Sequence, residues 1–202
     1  IIAQSYSDKV RIFSLKSTVE LGEARNLAVK EADGKFIAFL DVDDEWLPSK
    51  IERQVGLFKN PDVGIVFCNT LVRENGKETN VFEIIKPYSG VITCRLIKNN
   101  FITTSSLVYR KSVLEELPFI FRKNFLLLVD YDLSIRVSER CLSDFIDEPM
   151  AIVYKHKDNA SFVNKNRYFK ESEIFIKYLY NKKNKLIERC PVSLSCFMIR
   201  HK

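Results

Sequence analysis

Apolar and polar residues alternate in blocks along the chain, and the blocks predict both strands and helices. Short apolar runs at residues 10–13, 37–40 and 64–68 are typical of buried strands. Residues 23–32 repeat apolar side chains at helical spacing, and Asp33-Gly34 ends that helix. A second helix is predicted from Leu47 to about Asn60. The pattern therefore predicts the order strand, helix, strand, helix, strand for the first third of the chain.

The remainder of the chain adds a hairpin and further helices and strands. Asn75-Gly76 between two short apolar runs is a strong signal for a tight β-turn. Further strands are predicted at residues 105–109 and 150–154, and further helices at 111–117 and 131–141. Alternation followed by a hairpin indicates an α/β fold with a mixed sheet.

Acidic residues follow the run 37–40 directly, at a position where α/β sheets bind ligands. If the strand continues, Asp41 and Asp43 point the same way and converge on one cation, while Val42 turns back into the protein. Carboxylates suit Mg²⁺ or Mn²⁺, which also take substrate phosphates as ligands. The sequence therefore predicts a metal-held diphosphate here.

A structural role is the alternative for part of this acidic cluster. Acids are favoured in the first turn of a helix, and Leu47-Pro48-Ser49 resembles a helix start. Asp44 or Glu45 could serve that purpose alone.

Composition favours a folded intracellular domain. The chain has 202 residues, of which 46% are hydrophobic. Its five cysteines are widely spaced and predict free thiols in a reducing cytoplasm: Cys68, Cys94, Cys141, Cys190 and Cys196. No apolar run approaches the roughly 20 residues of a membrane span. The first residue is Ile1 and not Met, which favours the interpretation that the chain is a fragment of a longer protein.

Basic residues concentrate after residue 154, where twelve Lys or Arg accompany four acids. Aromatic residues recur there near helical spacing, so we expect residues 1–158 to form the domain and 159–202 a basic helical tail. The tail helix either lies on an anionic membrane surface or packs its aromatic face on the domain. Nucleic acid is not an expected partner, because the basic residues match no reader motif.

Three segments resemble the family 2 glycosyltransferases with the GT-A fold: residues 22–26, 32–48 and 130–136. The likeness spans about residues 10–156. It implies transfer of a sugar from a nucleotide-diphosphate donor to an acceptor hydroxyl, usually with inversion and a divalent metal. Asp41 and Asp43 match the family's Asp-x-Asp metal motif, and Asp130 matches its acidic base.

Further site residues are assigned from chemistry and from this resemblance. Arg25, with Asn26, is expected to contact the donor, since a guanidinium pairs well with phosphate oxygens. Asp41 is expected to hold the donor ribose or sugar, or to share the metal. The resemblance implies a late histidine at the metal or diphosphate, matched by His156.

Acceptor contacts are predicted at Thr104 and Ser105, and at Trp46, although packing under the acidic loop is the other interpretation of Trp46. Asp130 could instead cap the helix that follows it. Asp132 is a second candidate base, and with Arg136 it also has the spacing of a surface ion pair. The family commonly has Glu just before the base, where this chain has Val129.

The resemblance also implies two donor-binding strands ahead of the acidic strand, and nothing before Val10 supplies them. We therefore expect either an amino-terminally truncated piece or a domain that has lost half of its donor site. The resemblance further implies a glycan or lipid-linked acceptor, and a cytoplasmic protein docked at the inner membrane face.

Two other classes of function remain open at this point. A haloacid-dehalogenase-type phosphatase would use Asp41 as a nucleophile, although no later Gly-Asp-x-x-x-Asp follows it. A noncatalytic remnant could bind a partner or a membrane through the basic tail.

Overall fold

Two long parallel strands form the middle of the sheet in the computed structural model, which describes residues 10–123, 125–157, 159, 164–180 and 186–190. The strands are β1 Phe36–Ala38, β2 Glu45–Trp46, β3 Val63–Glu74, β4 Lys77–Asn80, β5 Val108–Arg110 and β6 Leu142–Lys155. Their order is β1-β5-β3-β6-β2, and β4 pairs with the far end of β3. The β3–β6 pair is parallel and the other pairs are antiparallel.

Helices cover the sheet. They are α1 Leu21–Glu31, α2 Lys50–Leu57, α3 Val81–Ile84, α4 Thr93–Lys98, α5 Lys111–Glu115, α6 Val129–Ser138, α7 Lys165–Tyr180 and α8 Leu186–Arg189, with a 3₁₀ turn at Thr104–Ser106. The core lies against β3, where Ile65, Val66 and Phe67 are completely buried. Burial on both faces explains why β3 begins as a continuous apolar run.

Strand register brings the acidic loop to the site. The parallel pair stays aligned to its carboxyl end, where Glu74 lies opposite Lys155. Glu45 of β2 pairs with Ile152 of β6. The acids that precede β2 therefore lie beside the last residues of β6, at the edge where α/β proteins bind ligands.

The mixed α/β fold and the hairpin are confirmed. Asn75 and Gly76 have φ angles of 49° and 76°, as the predicted tight turn requires. The predicted strand at 10–13 is wrong, because that segment pairs with no described strand and leaves Ile12 and Phe13 exposed. The second helix begins at Lys50 and not at Leu47, after Ser49 in a left-handed conformation.

The prediction of free thiols throughout is wrong. Cys94 of α4 and Cys190 after α8 form a disulfide across 96 residues of sequence. Cys68 and Cys141 are free, and Cys196 lies outside the described residues. The pairing could not be predicted from the spacing of the cysteines, because α4 and the chain after α8 come together only in the folded protein.

The helix after residue 164 packs on the domain. Phe175 and Leu179 of α7 are completely buried in the same core as Ile65 and Phe67. This contact favours the packed interpretation of the tail over a membrane-lying helix, although Phe169 remains exposed. Within the residues described here, none of the helices has the length and apolarity needed to cross a membrane.

Candidate active site

A cleft of 420 Å³ lies at the carboxyl edge of the sheet. Its walls come from the start of α1, the acidic loop between β1 and β2, the 3₁₀ turn, the start of α6 and the end of β6. Five of the sequence-predicted site residues line it: Arg25, Asp41, Asp43, Thr104 and Asp130. The structure thus gathers residues separated by up to about a hundred positions of sequence.

Arg25 holds Asp41. Arg25 is 8% exposed, and its guanidinium lies over the rings of Phe39 and Phe121 and donates to Asp41 Oδ1 at 2.6 Å. Burial raises the pKa of Asp41, the Arg25 charge lowers it in part, and the negative charge of Asp130 raises it further. Asp41 and Asp130 both line the cleft.

Asp43 has different partners. Its Oδ2 lies 3.1 Å from His156 Nε2 and accepts a hydrogen bond of 3.1 Å from the Asn159 amide. The side chains of Asp43 and His156 are 39% and 45% exposed, so both can be reached from solvent. Asn159 also holds the loop after β6, because its Oδ1 accepts from the His156 N–H at 2.6 Å.

The expected inward turn of Val42 is wrong, since its side chain is fully exposed. The strand β1 ends at Ala38, and the Asp44 N–H donates to Asp41 O at 3.0 Å, so the acids lie on a turn and not on an extended strand. The two-residue alternation of a strand does not apply there. Asp41 and Asp43 consequently have separate partners.

The side chains of Asp43 and His156 fit a divalent cation whose remaining ligands come from substrate. Among the described residues, no three or more His, Cys, Asp or Glu side chains are arranged to hold a metal. Asp43 and His156 offer a carboxylate and an imidazole at one exposed point. Two protein ligands are enough where phosphates and water complete the coordination shell.

Asp44 braces the acidic loop and does not cap α2. Its Oδ2 accepts from the Ser105 hydroxyl at 2.6 Å, and its Oδ1 accepts from the Tyr154 N–H at 3.4 Å. Ser105 is completely buried, and the Trp46 indole donates to its carbonyl at 2.7 Å. Ser105 and Trp46 therefore support the acidic loop and do not line the cleft, and an acceptor contact by either residue stays a prediction.

Asp130 is the second residue of α6 and faces the cleft, so it does not cap that helix. Thr104, predicted as an acceptor contact, donates to Asp130 Oδ2 at 2.5 Å. Asp132 is completely buried between Arg122 and Arg136, with bonds of 2.9 Å to each, so the expected surface pair is a buried one. Of the two candidate bases, Asp130 is the one that reaches the cleft.

Asn26 lies outside the cleft lining. Its side-chain amide makes two hydrogen bonds of 2.9 Å, donating to the Phe121 carbonyl and accepting from the Phe121 N–H. These bonds hold the segment that packs on Arg25. Asn26 is thus a support for the site and not one of the cleft residues.

Two residues at or beside the cleft were not predicted from the sequence. Asn159 follows β6 without any pattern that marks it. Glu171 counted only as one acid within a basic tail, yet the residue is 2% exposed and its carboxylate accepts hydrogen bonds from three main-chain N–H groups beside the cleft. Its spacing of four from Arg167 was the only signal available.

Fold and cleft together define a GT-A glycosyltransferase architecture, in which an acidic loop at the sheet edge faces an acid at a helix start. The sequence model of the family described as "Glycosyl transferase family 2" matches residues 1–118, and the chain belongs to that family. Membership removes the phosphatase interpretation, since a different fold would be required for it.

The chain is similar to an Escherichia coli enzyme, UDP-Glc:alpha-D-GlcNAc-diphosphoundecaprenol beta-1,3-glucosyltransferase WfgD, at 26% identity over 162 residues. This match covers 65% of the chain and 63% of the relative. A crystal structure of S. aureus TarS 1-349 in complex with UDP-GlcNAc has a TM-score of 0.76 at 16% identity, over 99% of this chain and 59% of that one.

A mannosyltransferase from Pyrobaculum calidifontis, PcManGT, solved in complex with GDP-Man and Mn²⁺, has a TM-score of 0.62 at 14% identity. That match covers 98% of this chain and 58% of that chain. The chain thus spans less than two thirds of the length of each of these three proteins.

Proposed function

We propose that this chain carries the catalytic cleft of a glycosyltransferase that moves a sugar from a nucleotide-diphosphate donor to an acceptor hydroxyl, with inversion. The observation that carries the proposal is that one cleft is lined both by Asp43, which contacts His156, and by Asp130 at the start of α6. Inverting transfer needs one region that accepts a departing diphosphate and a base that approaches from elsewhere.

Asp130 is the proposed base. The acceptor hydroxyl loses its proton as its oxygen bonds to the anomeric carbon, and the Asp130 carboxylate takes that proton while the nucleoside diphosphate departs. Thr104 donates to Asp130 Oδ2 and the Tyr131 N–H donates to Oδ1, so both carboxylate oxygens are oriented. A fixed carboxylate favours proton transfer because its geometry is set before the acceptor binds.

Asp43 and His156 would hold the divalent cation, Mg²⁺ or Mn²⁺. Bound there, it would stabilise the negative charge that develops on the diphosphate. Arg25 and Asp41 complete the donor side of the cleft, where the pair presents both hydrogen-bond donors and acceptors. The charges of Arg25 and Asp41 offset each other, so this ion pair would offer hydrogen bonds to sugar or ribose hydroxyls without adding net charge to the cleft.

The acceptor is proposed to be a glycan or a lipid-linked saccharide, in the synthesis of a surface polysaccharide or glycolipid. Support comes from WfgD, whose name describes transfer to a diphosphoundecaprenol-linked sugar. Attachment to the inner membrane face at an anionic surface belongs to the same proposal. Its support is that α7, while its buried face packs on the domain, leaves Phe169 and Lys170 exposed to a surface.

Donor turnover tests the proposal. The protein, in the full length that its gene encodes, is supplied with UDP-glucose, UDP-GlcNAc or GDP-mannose and Mn²⁺, and release of the nucleoside diphosphate is followed with lipid-linked acceptors. Asp130→Asn should lower kcat by roughly 10²- to 10⁴-fold with donor KM nearly unchanged. Asp147→Asn, an exposed acid outside the cleft, is the control. Full activity of the Asp130→Asn variant would contradict the assignment.

A further inference from the structure

Glu171 is a charged side chain in a buried place. It belongs to α7, is 2% exposed, and its carboxylate accepts three hydrogen bonds from consecutive main-chain N–H groups. The Leu126 N–H binds Oε1 at 2.8 Å, and those of Leu127 and Leu128 bind Oε2 at 2.8 and 2.9 Å. A buried carboxylate is costly unless its oxygens are satisfied, and these amides satisfy both of them.

The bound segment leads directly into the proposed base. Leu126 and Leu127 line the cleft, Leu128 is the N-cap residue of α6, and Asp130 follows two residues later. Leu128 makes no side-chain cap at this helix start. Glu171 supplies the missing negative charge from another helix, where the helix dipole favours an anion.

The same part of α7 also holds the other wall of the cleft. Arg167 donates to Glu171 Oε1 at 2.9 Å and contacts Glu20 Oε2 at 2.9 Å. Glu20 is the N-cap residue of α1, the helix that carries Arg25. One turn of α7 therefore connects the starts of α1 and α6, the two helices that frame the cleft.

We propose that Glu171 is a positioning residue for the transfer reaction, which fixes the segment 126–130 and thereby the location of the Asp130 carboxylate. The inference rests on the proposed function, because it assigns Asp130 its catalytic role. Glu171 itself does not line the cleft, and it reaches the segment 126–128 through the main-chain N–H groups of that segment. A displacement of the base by about 1 Å costs roughly 100-fold in rate.

Glu171→Gln tests the inference, because glutamine keeps the shape but offers one oxygen to three N–H donors. We expect kcat for transfer to fall roughly 10- to 100-fold, while donor KM and UDP affinity with Mn²⁺ change less than about threefold. Amide hydrogen exchange at 126–128 should become faster. Glu173→Gln is the matched control on the same helix, since Glu173 is exposed and pairs with Lys177.

The outcomes separate the two claims. Unchanged exchange at 126–128 or an unchanged kcat in Glu171→Gln would overturn the inference about Glu171 alone. Equal losses of kcat, UDP affinity and melting temperature would also overturn it, because they would indicate general destabilisation. A parent protein that transfers no sugar but shows faster exchange on Glu171→Gln substitution would overturn the proposed function, leaving Glu171 as the residue that orders the segment.

Discussion

At the scale of the residue, the site is built from pairs in which one member fixes the other. Arg25 fixes Asp41, Thr104 fixes Asp130, and Ser105 fixes Asp44. The sequence indicated Asp41 and Asp44 because they follow a buried strand, and the family resemblance indicated Asp130. It also named Arg25, Thr104 and Ser105 as site residues, but it did not indicate which acid each one holds, since acid and partner come from distant segments.

The expected inward direction of Val42 is wrong, while the convergence of Asp41 and Asp43 on one cation stays a prediction. The alternation rule holds for extended strands, and β1 ends three residues before Asp41. A turn then directs Val42 outward. Sequence alone could not place the last residue of this strand, because the apolar run 37–40 continues past it.

Lys50 gives a prediction that is independent of catalysis. Its side chain is 1% exposed, its Nζ lies 4.4 Å from the centre of the Trp46 ring, and no hydrogen-bond partner reaches that atom among the described residues. Burial lowers the pKa of Lys50 to about 8. Below that pH the folded protein carries a buried, poorly solvated charge.

We expect the free energy of unfolding of the parent to rise relative to Lys50→Met between about pH 8 and 10.5. In that window the unfolded chain still binds the lysine proton and the folded chain has lost it, so stability rises with pH. Denaturant titrations of both proteins across the window measure the difference. Burial raises the pKa of Cys68 to about 11 and the Lys50 charge lowers it in part, so the thiol stays largely protonated in both folded proteins across this window and adds little to the difference. A constant difference would contradict the predicted shift.

At the scale of the element, α1 depends on a glycine. A Cβ added at Gly22 would lie 2.2 Å from the main-chain oxygen of Arg122, so only glycine allows the helix this close to the segment before α6. Gly22 begins the motif that indicated the family. The sequence identified the motif, but its packing reason required the contact with Arg122.

Gly22→Ala should destabilise the protein by roughly 2–4 kcal/mol, because main chain must move to relieve the overlap. Gly56→Ala is the control, since Gly56 lies in α2 with open space around it. That substitution should stabilise the protein by about 0.5–1 kcal/mol through helix propensity. Thermal unfolding of the two variants measures both effects, and equal changes would rule out the close contact at Gly22.

The long strands were predicted better than their ends. The apolar runs at 64–68 and 150–154 lie inside β3 and β6, which extend to 12 and 14 residues. Their extensions mix apolar with polar residues, as in Leu142-Ser143-Asp144-Phe145-Ile146, so no continuous apolar run marked the full length of either strand. The acidic loop nevertheless lies where the pattern placed it, at the carboxyl edge of the sheet.

At the scale of the molecule, α7 and the disulfide make the last described helices part of the domain. Phe175 and Leu179 enter the main core, and Cys94–Cys190 joins the end of the described chain to α4. Composition indicated a basic tail and suggested a separate role for it. The pattern of charges indicates which face of a helix is in contact with solvent. It therefore gave no indication that Glu171 lies on the buried face of α7.

Removal of the disulfide should therefore destabilise the domain. Cys94→Ser is expected to lower the free energy of unfolding by about 2–4 kcal/mol, since the bond closes a long loop in the unfolded chain. A reducing agent should lower the stability of the parent to that of the variant and leave the variant unchanged. Peptide mapping that finds Cys94 and Cys190 unlinked in the oxidised protein would contradict this account.

The central claim is that the cleft binds a nucleoside diphosphate through a divalent cation held at Asp43 and His156. Calorimetric titration of UDP and GDP, with and without Mn²⁺, tests it most directly on the parent, on Asp43→Asn and on the control Asp147→Asn. The account predicts Mn²⁺-dependent binding of one nucleotide, unchanged in Asp147→Asn and weakened roughly 10- to 100-fold in Asp43→Asn. A nucleotide affinity that is the same with and without Mn²⁺, or that Asp43→Asn does not change, would contradict the account.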